Sequence, residues 1–192
     1  MNAAFEPPSE FEQWPRHVEV APYGKTRPQR VYMWWDAERR FLVVTVRTRV
    51  VDLPVARAIV AAVDVLLDHE REALDVYGVS GIHDWRMVRS YESDARKYQQ
   101  DKAKENLGGL TIHEQLIAAD VNPLLHTALS VSSMVFAIVT GTPIRLIKAD
   151  QLEPELRARG VSPGPPLPYM AKINEQLAAM DYIAADPPSL RP

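Results

Sequence analysis

Two runs near the start of the central region are rich in aromatic and β-branched residues. The first is Arg30–Asp36, and the second is Phe41–Arg49, in which valines alternate with Thr45 and Arg47. A short polar link, Ala37–Arg40, separates them. Alternation with a period of two is typical of strands, so the two runs predict an antiparallel β-hairpin.

Apolar residues then recur at helical spacing. Asp52 is a good N-cap and Pro54 suits a first helical turn, which predicts a helix from there to about His69. The run Leu74–Val79 predicts a short buried strand that ends at Gly81.

A polar helix is predicted next, capped by Ser93 or Asp94 and running to about Asn106, where two glycines follow. Its mixed charges indicate a solvated face. The segment Leu110–Ala118 fits a strand in its first half and a helix in its second, and the sequence leaves both open.

The last third of the centre predicts an apolar helix, a strand and a final helix. Pro123 begins the apolar helix and Gly141 ends it, while Ile144–Lys148 is the strand. Asp150 is expected to cap the final helix, Leu152–Arg159. Strands that alternate with helices imply crossovers, so the predicted fold class is α/β: an opening antiparallel hairpin and then mostly parallel strands, with helices packed on the sheet.

The prolines divide the chain of 192 residues into three parts. Of the 16 prolines, five lie within residues 1–28 and seven within 161–192. Because proline fixes φ and removes a hydrogen-bond donor, no regular element runs through a dense cluster of them. The sequence predicts a Pro-rich N-terminal tail (1–28), one domain (29–160) and a Pro-rich C-terminal tail (161–192).

The C-terminal tail contains a segment that can form a short amphipathic helix. Its apolar stripe must be buried on the chain's own core, on another protein or on another subunit. The stripe consists of Met170, Ile173, Leu177 and Met180.

Composition excludes several classes of function. The chain has no cysteine, which rules out disulfide scaffolds and thiol chemistry, and its net charge of -3 argues against nucleic-acid binding. Its most apolar window, Thr127–Thr142, has 16 residues and is bracketed by prolines. A spanning helix needs about 20. The sequence therefore predicts a buried helix, no membrane insertion and a cytoplasmic location.

The element order over about 130 residues resembles the STAS fold, the domain of anti-sigma-factor antagonists and their SpoIIAA-like relatives. Gly81–Trp85 and Ser90–Arg96 look like the strand-to-helix segment of some bacterial STAS-like regulators, and Ala128–Ile147 is similar to their later helix and strand. The resemblance implies a STAS-like mixed sheet and a non-enzymatic regulatory module of a bacterial cytoplasmic signalling system.

The resemblance also implies a phosphorylation site. In antagonist members a serine at the start of the helix after the third strand is phosphorylated, and the matching region here contains Ser90 and Ser93. The Asp-Ser-Ser-Gly-like turn of the family is absent. From the residues alone, Ser93 is better explained as a plain helix cap.

His83–Asp84–Trp85 invites a catalytic interpretation, with His83 as a base that Asp84 orients. Adjacent side chains on a turn rarely point at one substrate atom, so an Asx turn at Asp84 is the favoured interpretation. Consecutive Trp34 and Trp35 must face opposite sides of a strand, and one of them could anchor a partner. The predicted partner-binding set is Trp34, Trp35, His83, Asp84, Trp85 and Tyr91.

No motif for a metal or cofactor is present. The five histidines show no ligand spacing, and no phosphate-binding glycine loop or nucleophile elbow occurs. We therefore predict no metal and no cofactor.

Three functional hypotheses remain. The first is a non-enzymatic module that binds a protein through residues 81–96 and the tails. The second is a small-molecule sensor or an enzyme with a pocket near His83, Asp84 and His113. The third is a homo-oligomer that exchanges its C-terminal helix.

Overall fold

The computed structural model describes residues 30–107, 109–120, 122–161, 170–173 and 175. Its strands are β1 (Val31–Asp36), β2 (Phe41–Val46), β3 (Val50–Val51), β4 (Val79–Asp84), β5 (Ser90–Tyr91), β6 (Ile112–Ala118) and β7 (Ile144–Ile147). Its helices are α1 (Leu53–Tyr77), α2 (Ser93–Asn106), α3 (Pro123–Thr140) and α4 (Leu152–Ala158).

Five strands form the main sheet in the order β1-β2-β4-β6-β7. β1 and β2 are antiparallel, whereas β2, β4, β6 and β7 are parallel to one another. The short strands β3 and β5 pair separately. This mixed sheet confirms the predicted α/β class with its opening hairpin.

The strand order also determines where the helices lie. After β2 each crossover moves one strand further in the same direction, and right-handed crossovers that all move one way place their helices on one face. Residues of α1, α2 and α3 accordingly share the larger core with one face of the sheet. On the other face, Leu152 and Leu156 of α4 pack with Trp34, Ile82 and Leu116.

The two consecutive tryptophans follow this division. Trp35 lies in the core under α1, and Trp34 lies in the core under α4. Both are buried, with exposed fractions of 3% and 6%. Each tryptophan therefore stabilises one layer of the domain, and neither is an exposed anchor for a partner in this structure.

The predicted strand Leu74–Val79 is wrong. α1 continues past His69 to Tyr77, because Leu74 extends the buried stripe of Leu66 and Leu67 by two more turns. Gly78 ends the helix with a φ of +70°, and β4 begins only at Val79.

Several predicted helix ends can be compared with the structure. The Asp52 cap is confirmed, because its carboxylate accepts a hydrogen bond from the Val55 amide at 3.0 Å. The cap at Ser93 or Asp94 is wrong, since Glu92 precedes the first turn of α2 and no side chain caps it. Asp150 lies inside a 3₁₀ turn before α4, so its predicted cap is also wrong.

The ambiguous segment Leu110–Ala118 contains β6, with no helix. The apolar helix begins at Pro123 as predicted and is capped by Gly141. The strand predicted at Ile144–Lys148 is confirmed as β7.

Helix α3 is buried along one face only, which corrects its prediction as a buried helix. Its inner face contains Leu125, Ala128, Leu129 and Ser132. Its outer face exposes an apolar stripe, which we call the α3 stripe: Leu124, Val131, Met134 and Ile138. By length and composition alone α3 could cross a membrane, and 22% of it is buried in the domain; core helices of soluble proteins can meet the same test.

Half of the predicted C-terminal docking stripe is described. Met170 and Ile173 are buried in the larger core with residues of α1 and the sheet. Leu177 and Met180 lie outside the described residues, as does the N-terminal tail. The described part of the stripe thus packs on its own chain.

Candidate functional site

A pocket of about 180 Å³ lies between the sheet and helices α1, α2 and α3, and we call it the central pocket. Most of its lining is aliphatic, with Leu66, Ile117 and Leu129 as examples. Its ionisable and polar side chains are Asp64, His83, Tyr91, Gln99, Gln100, Lys102, Asn106, Gln115 and Ser132.

The sequence of α2 explains why the helical layer does not close over the sheet. The stripe Ala95, Gln99, Ala103 and Leu107 recurs every four residues, and its last three members line the pocket. Ala103 is small and Gln99 is polar, so neither replaces the large aliphatic side chain that would fill this layer. A pocket therefore remains between α2 and the sheet, and the polar side chain of Gln99 forms part of its lining.

His83 lies on the central strand β4, with its ring toward the pocket. β4 has a neighbouring strand on each side and helices above it, so the accessible part of the ring is the part that faces the pocket. No hydrogen bond joins either ring nitrogen to another described residue, and Nδ1 is buried. Burial lowers the pKa of His83 from 6.5 to about 4, so the imidazole is neutral at pH 7.

Gln115 lies on the neighbouring strand β6 and faces the same side as His83. Its partner in register is Gly81, where an added Cβ would lie 3.0 Å from the Gln115 Nε2 atom. Gly81 therefore leaves room for the amide. Within the described chain the Gln115 amide has no hydrogen-bond partner, so it is available to a molecule in the pocket.

An aromatic and hydroxyl group of residues forms another wall. Trp85 and Tyr91 pack edge to face, with ring centroids 5.1 Å apart. The Tyr91 hydroxyl donates to the Gln99 Oε1 atom. Burial raises the pKa of Tyr91, and the nearby Ser132 hydroxyl opposes this effect. The Trp85 Nε1 donor and the Gln100 Nε2 donor are buried and have no partner among the described residues.

The charged lining lies between α1 and α2. The Asn106 amide donates to the Asp64 carboxylate at 2.6 Å. Burial raises the pKa of Asp64, against the opposing effects of Asn106 and Lys102. Lys102 is paired with Glu105. These side chains satisfy one another. The pocket's polar groups without a hydrogen-bond partner among the described residues are those of His83 and Gln115, together with Trp85, Gln100 and Ser132.

The structure does not bring His83, Asp84 and His113 together. Asp84 points to the opposite face of the sheet, where its carboxylate binds Arg86 Nε at 2.8 Å and Nη2 at 2.9 Å. The Asp84 carboxylate also accepts the backbone N–H of Arg86 at 3.3 Å, which confirms the predicted Asx-type contact. His113 is exposed and lies 2.7 Å from the Tyr77 carbonyl oxygen. The pocket predicted around these three residues is therefore corrected to one that includes His83 alone.

The predicted partner-binding residues lie in the interior. Trp34, Trp35, Asp84, Trp85 and Tyr91 are buried, and the accessible part of His83 faces the pocket. They form no exposed surface in this structure, so their predicted contact with a partner would require the layer to open.

The two candidate phosphorylation sites are accessible. Ser90 on β5 and Ser93 at the start of α2 both have exposed side chains. Asn122 anchors this region, since its Nδ2 donates to the Arg89 carbonyl at 2.9 Å. Phosphorylation of either serine stays a prediction.

Gln99 and Gln115 were missed from the sequence. Their signal was a long polar side chain at an inward position, on a helical stripe for Gln99 and on a period-two strand for Gln115. That signal could be used only after β6 was known to be a strand.

Within the described part of the chain, no group of three or more histidine, aspartate or glutamate residues could hold a metal ion.

Comparison of the chain with family models, curated proteins and solved structures gives no match. The resemblance to STAS domains thus stays a prediction.

Proposed function

We propose that this chain is a small-molecule-binding domain and that its ligand occupies the central pocket. The observation that carries the proposal is the pairing of a mostly apolar cavity of about 180 Å³ with polar side chains that have no hydrogen-bond partner among the described residues, including His83 and Gln115. Ligand sites combine an apolar lining with a few polar groups that orient the ligand. Buried polar atoms without partners are rare because they destabilise the fold, so the buried Nδ1 atom of His83, which has no partner among the described residues, favours a bound molecule here.

The chemistry of the lining favours binding over catalysis. A nucleophile needs an adjacent base. In the described pocket the Tyr91 hydroxyl donates to the Gln99 amide, and the pKa of Tyr91 is raised. Neither feature activates an oxygen for attack. We propose a sensor or carrier role; the sensor was one half of the second hypothesis from the sequence, whose other half was an enzyme.

A thermal-shift screen with charged and uncharged fragments of one or two rings tests this function. We expect a subset of fragments to stabilise the protein, because a ligand that binds only the folded state at ten times its Kd adds about 1.4 kcal/mol. The same screen on Ser132→Leu, which places a larger side chain in the pocket, should lose these hits.

The matched control is Ser130→Leu, two residues before Ser132 and on the exposed side of α3. It should keep the hits of the native chain. A library without any hit on the native chain, or hits that survive in a folded Ser132→Leu variant, would contradict the proposal.

A second candidate is self-association, and the observation that favours it is the α3 stripe, rather than the 81–96 segment and the tails that the sequence prediction named. Leu124 and Ile138 are 84% and 78% exposed, and α3 contains no aspartate, glutamate, lysine or arginine. We propose that the stripe packs on a second copy of this chain. A two-fold axis would bring two uncharged faces together without like-charge contacts, and isologous contacts of this kind are the commonest in oligomers.

Light scattering tests the second candidate. We expect a dimer mass for the native chain and a monomer mass for Ile138→Glu, because the new carboxylates would be buried against an apolar face. Val76→Glu places the same charge at an exposed apolar site on α1 and should leave the dimer intact. A monomer mass for the native chain would exclude this surface as a dimer contact.

A bacterial cytoplasmic signalling context also stays a prediction.

A further inference from the structure

The chemistry of the central pocket restricts the ligand beyond its size, provided that the proposed function is correct. His83 and Gln115 are diagonal neighbours on one face: Gln115 is in register with Gly81, and His83 is two residues further along β4. Neighbouring parallel strands lie about 4.8 Å apart and two residues advance about 6.6 Å, so the two Cα atoms are about 8 Å apart, within reach of one small molecule.

The two side chains offer complementary hydrogen bonding. A neutral imidazole has one N–H donor and one acceptor nitrogen, and a glutamine amide has both a donor and an acceptor. Trp85 Nε1 and Gln100 Nε2 add buried donors without partners around the same pocket. Since an indole N–H can only donate, an acceptor oxygen on the ligand suits this wall.

The charges of the lining disfavour an anionic ligand. Lys102 is the described cation of the lining, and it is already paired with Glu105. Asp64 would repel an anion, and its own hydrogen bond from Asn106 is made. An ion buried beside aliphatic walls without a counter-charge is strongly disfavoured.

The volume sets the size of the ligand. A dry apolar cavity of about 150 Å³ holds benzene. The central pocket, at about 180 Å³, has room for one ring and a small substituent.

We propose that the central pocket takes an uncharged, mostly apolar molecule of about one ring that carries a single amide or carbonyl group, which His83 and Gln115 recognise. The amide oxygen accepts a hydrogen bond from one of these side chains, and an amide N–H donates to the other. The ring lies against the aliphatic side chains of α1 and α3.

Three probes of nearly equal shape test the proposed chemical class of the ligand: benzamide, benzoate and isopropylbenzene. We expect benzamide to bind at millimolar concentration or below, and benzoate to bind at least about tenfold more weakly at neutral pH. In Gln115→Met the benzamide Kd should rise about tenfold, whereas that of isopropylbenzene should change by less than about twofold. Ligand-observed NMR titrations measure all three constants.

His83→Phe provides a second variant if Gln115→Met does not fold, and it should show the same selective loss. His126→Phe changes an exposed histidine of α3 and should leave all three constants unchanged. Equal binding of benzamide and benzoate, no binding of benzamide, or an equal effect of the variants on benzamide and isopropylbenzene would overturn the proposed class. Binding of isopropylbenzene that Ser132→Leu abolishes would still support the pocket as a ligand site, so failure of the class and failure of the function are distinguishable.

Discussion

Gly78→Ala is expected to lower the free energy of unfolding by about 4 kcal/mol. Gly78 has φ +70° and ψ −174°, a region of backbone space that is essentially restricted to glycine. An added Cβ would lie 2.5 Å from the Thr111 carbonyl oxygen and 2.7 Å from His113 Nε2. That carbonyl accepts the Val79 N–H at 2.9 Å, so the clash would also disturb the start of β4. Urea denaturation measures the loss.

Gly141→Ala is the matched control, because Gly141 also caps a helix with a positive φ, of 75°. No atom of the described residues lies within 4 Å of a Cβ at this position. Its substitution should cost only the conformational penalty, about 1 kcal/mol. Equal losses at the two glycines would show that crowding against Thr111 contributes nothing.

The second large effect is a loss of stability on acidification that depends on His83. Its pKa is about 4 in the folded chain and about 6.5 in the unfolded chain. Between these values only the unfolded chain binds the proton, so the free energy of unfolding falls as the pH falls. The expected loss from His83 is about 2 kcal/mol between about pH 7 and pH 5, and it stops growing below about pH 4.

His83→Gln should flatten this part of the curve, since glutamine does not titrate. The difference between the two curves also removes the contribution of Asp64, whose raised pKa acts in the opposite direction. His126→Gln, at an exposed site, should keep the native slope. A slope in His83→Gln equal to that of the native chain would mean that His83 is protonated as readily in the fold as in the unfolded chain.

Local signals explain which elements could be predicted from the sequence. The hairpin, the Asp52 cap, the start of α3 at Pro123 and its end at Gly141 depend on residues close to each other in the chain. The end of α1 depends on tertiary packing. Val76 and Tyr77 favour a strand by propensity, but burial of Leu74 in the core keeps this segment helical.

That error had a direct effect on the site. A strand that begins at Leu74 and ends at Gly81 places His83 in a turn, whereas a strand from Val79 to Asp84 places it on the face under the helices. Since side chains alternate between faces, the start of the strand decides which residues line the pocket and which, like Asp84, point away. His83 was therefore named from the sequence with the wrong neighbours, and Gln115 was missed.

One face of helix α3 lines the central pocket, and the opposite face carries the α3 stripe. Ser132 and Phe136 line the pocket, while Val131 and Met134 are exposed on the other side. If a ligand moves α3 when it fills the pocket, the affinity of anything bound to the stripe must change. Thermodynamic linkage makes the effect reciprocal: a contact on the stripe would change the ligand's affinity by the same factor. Through α3, binding of a ligand in the central pocket could thus change whether the chain is a monomer or a dimer.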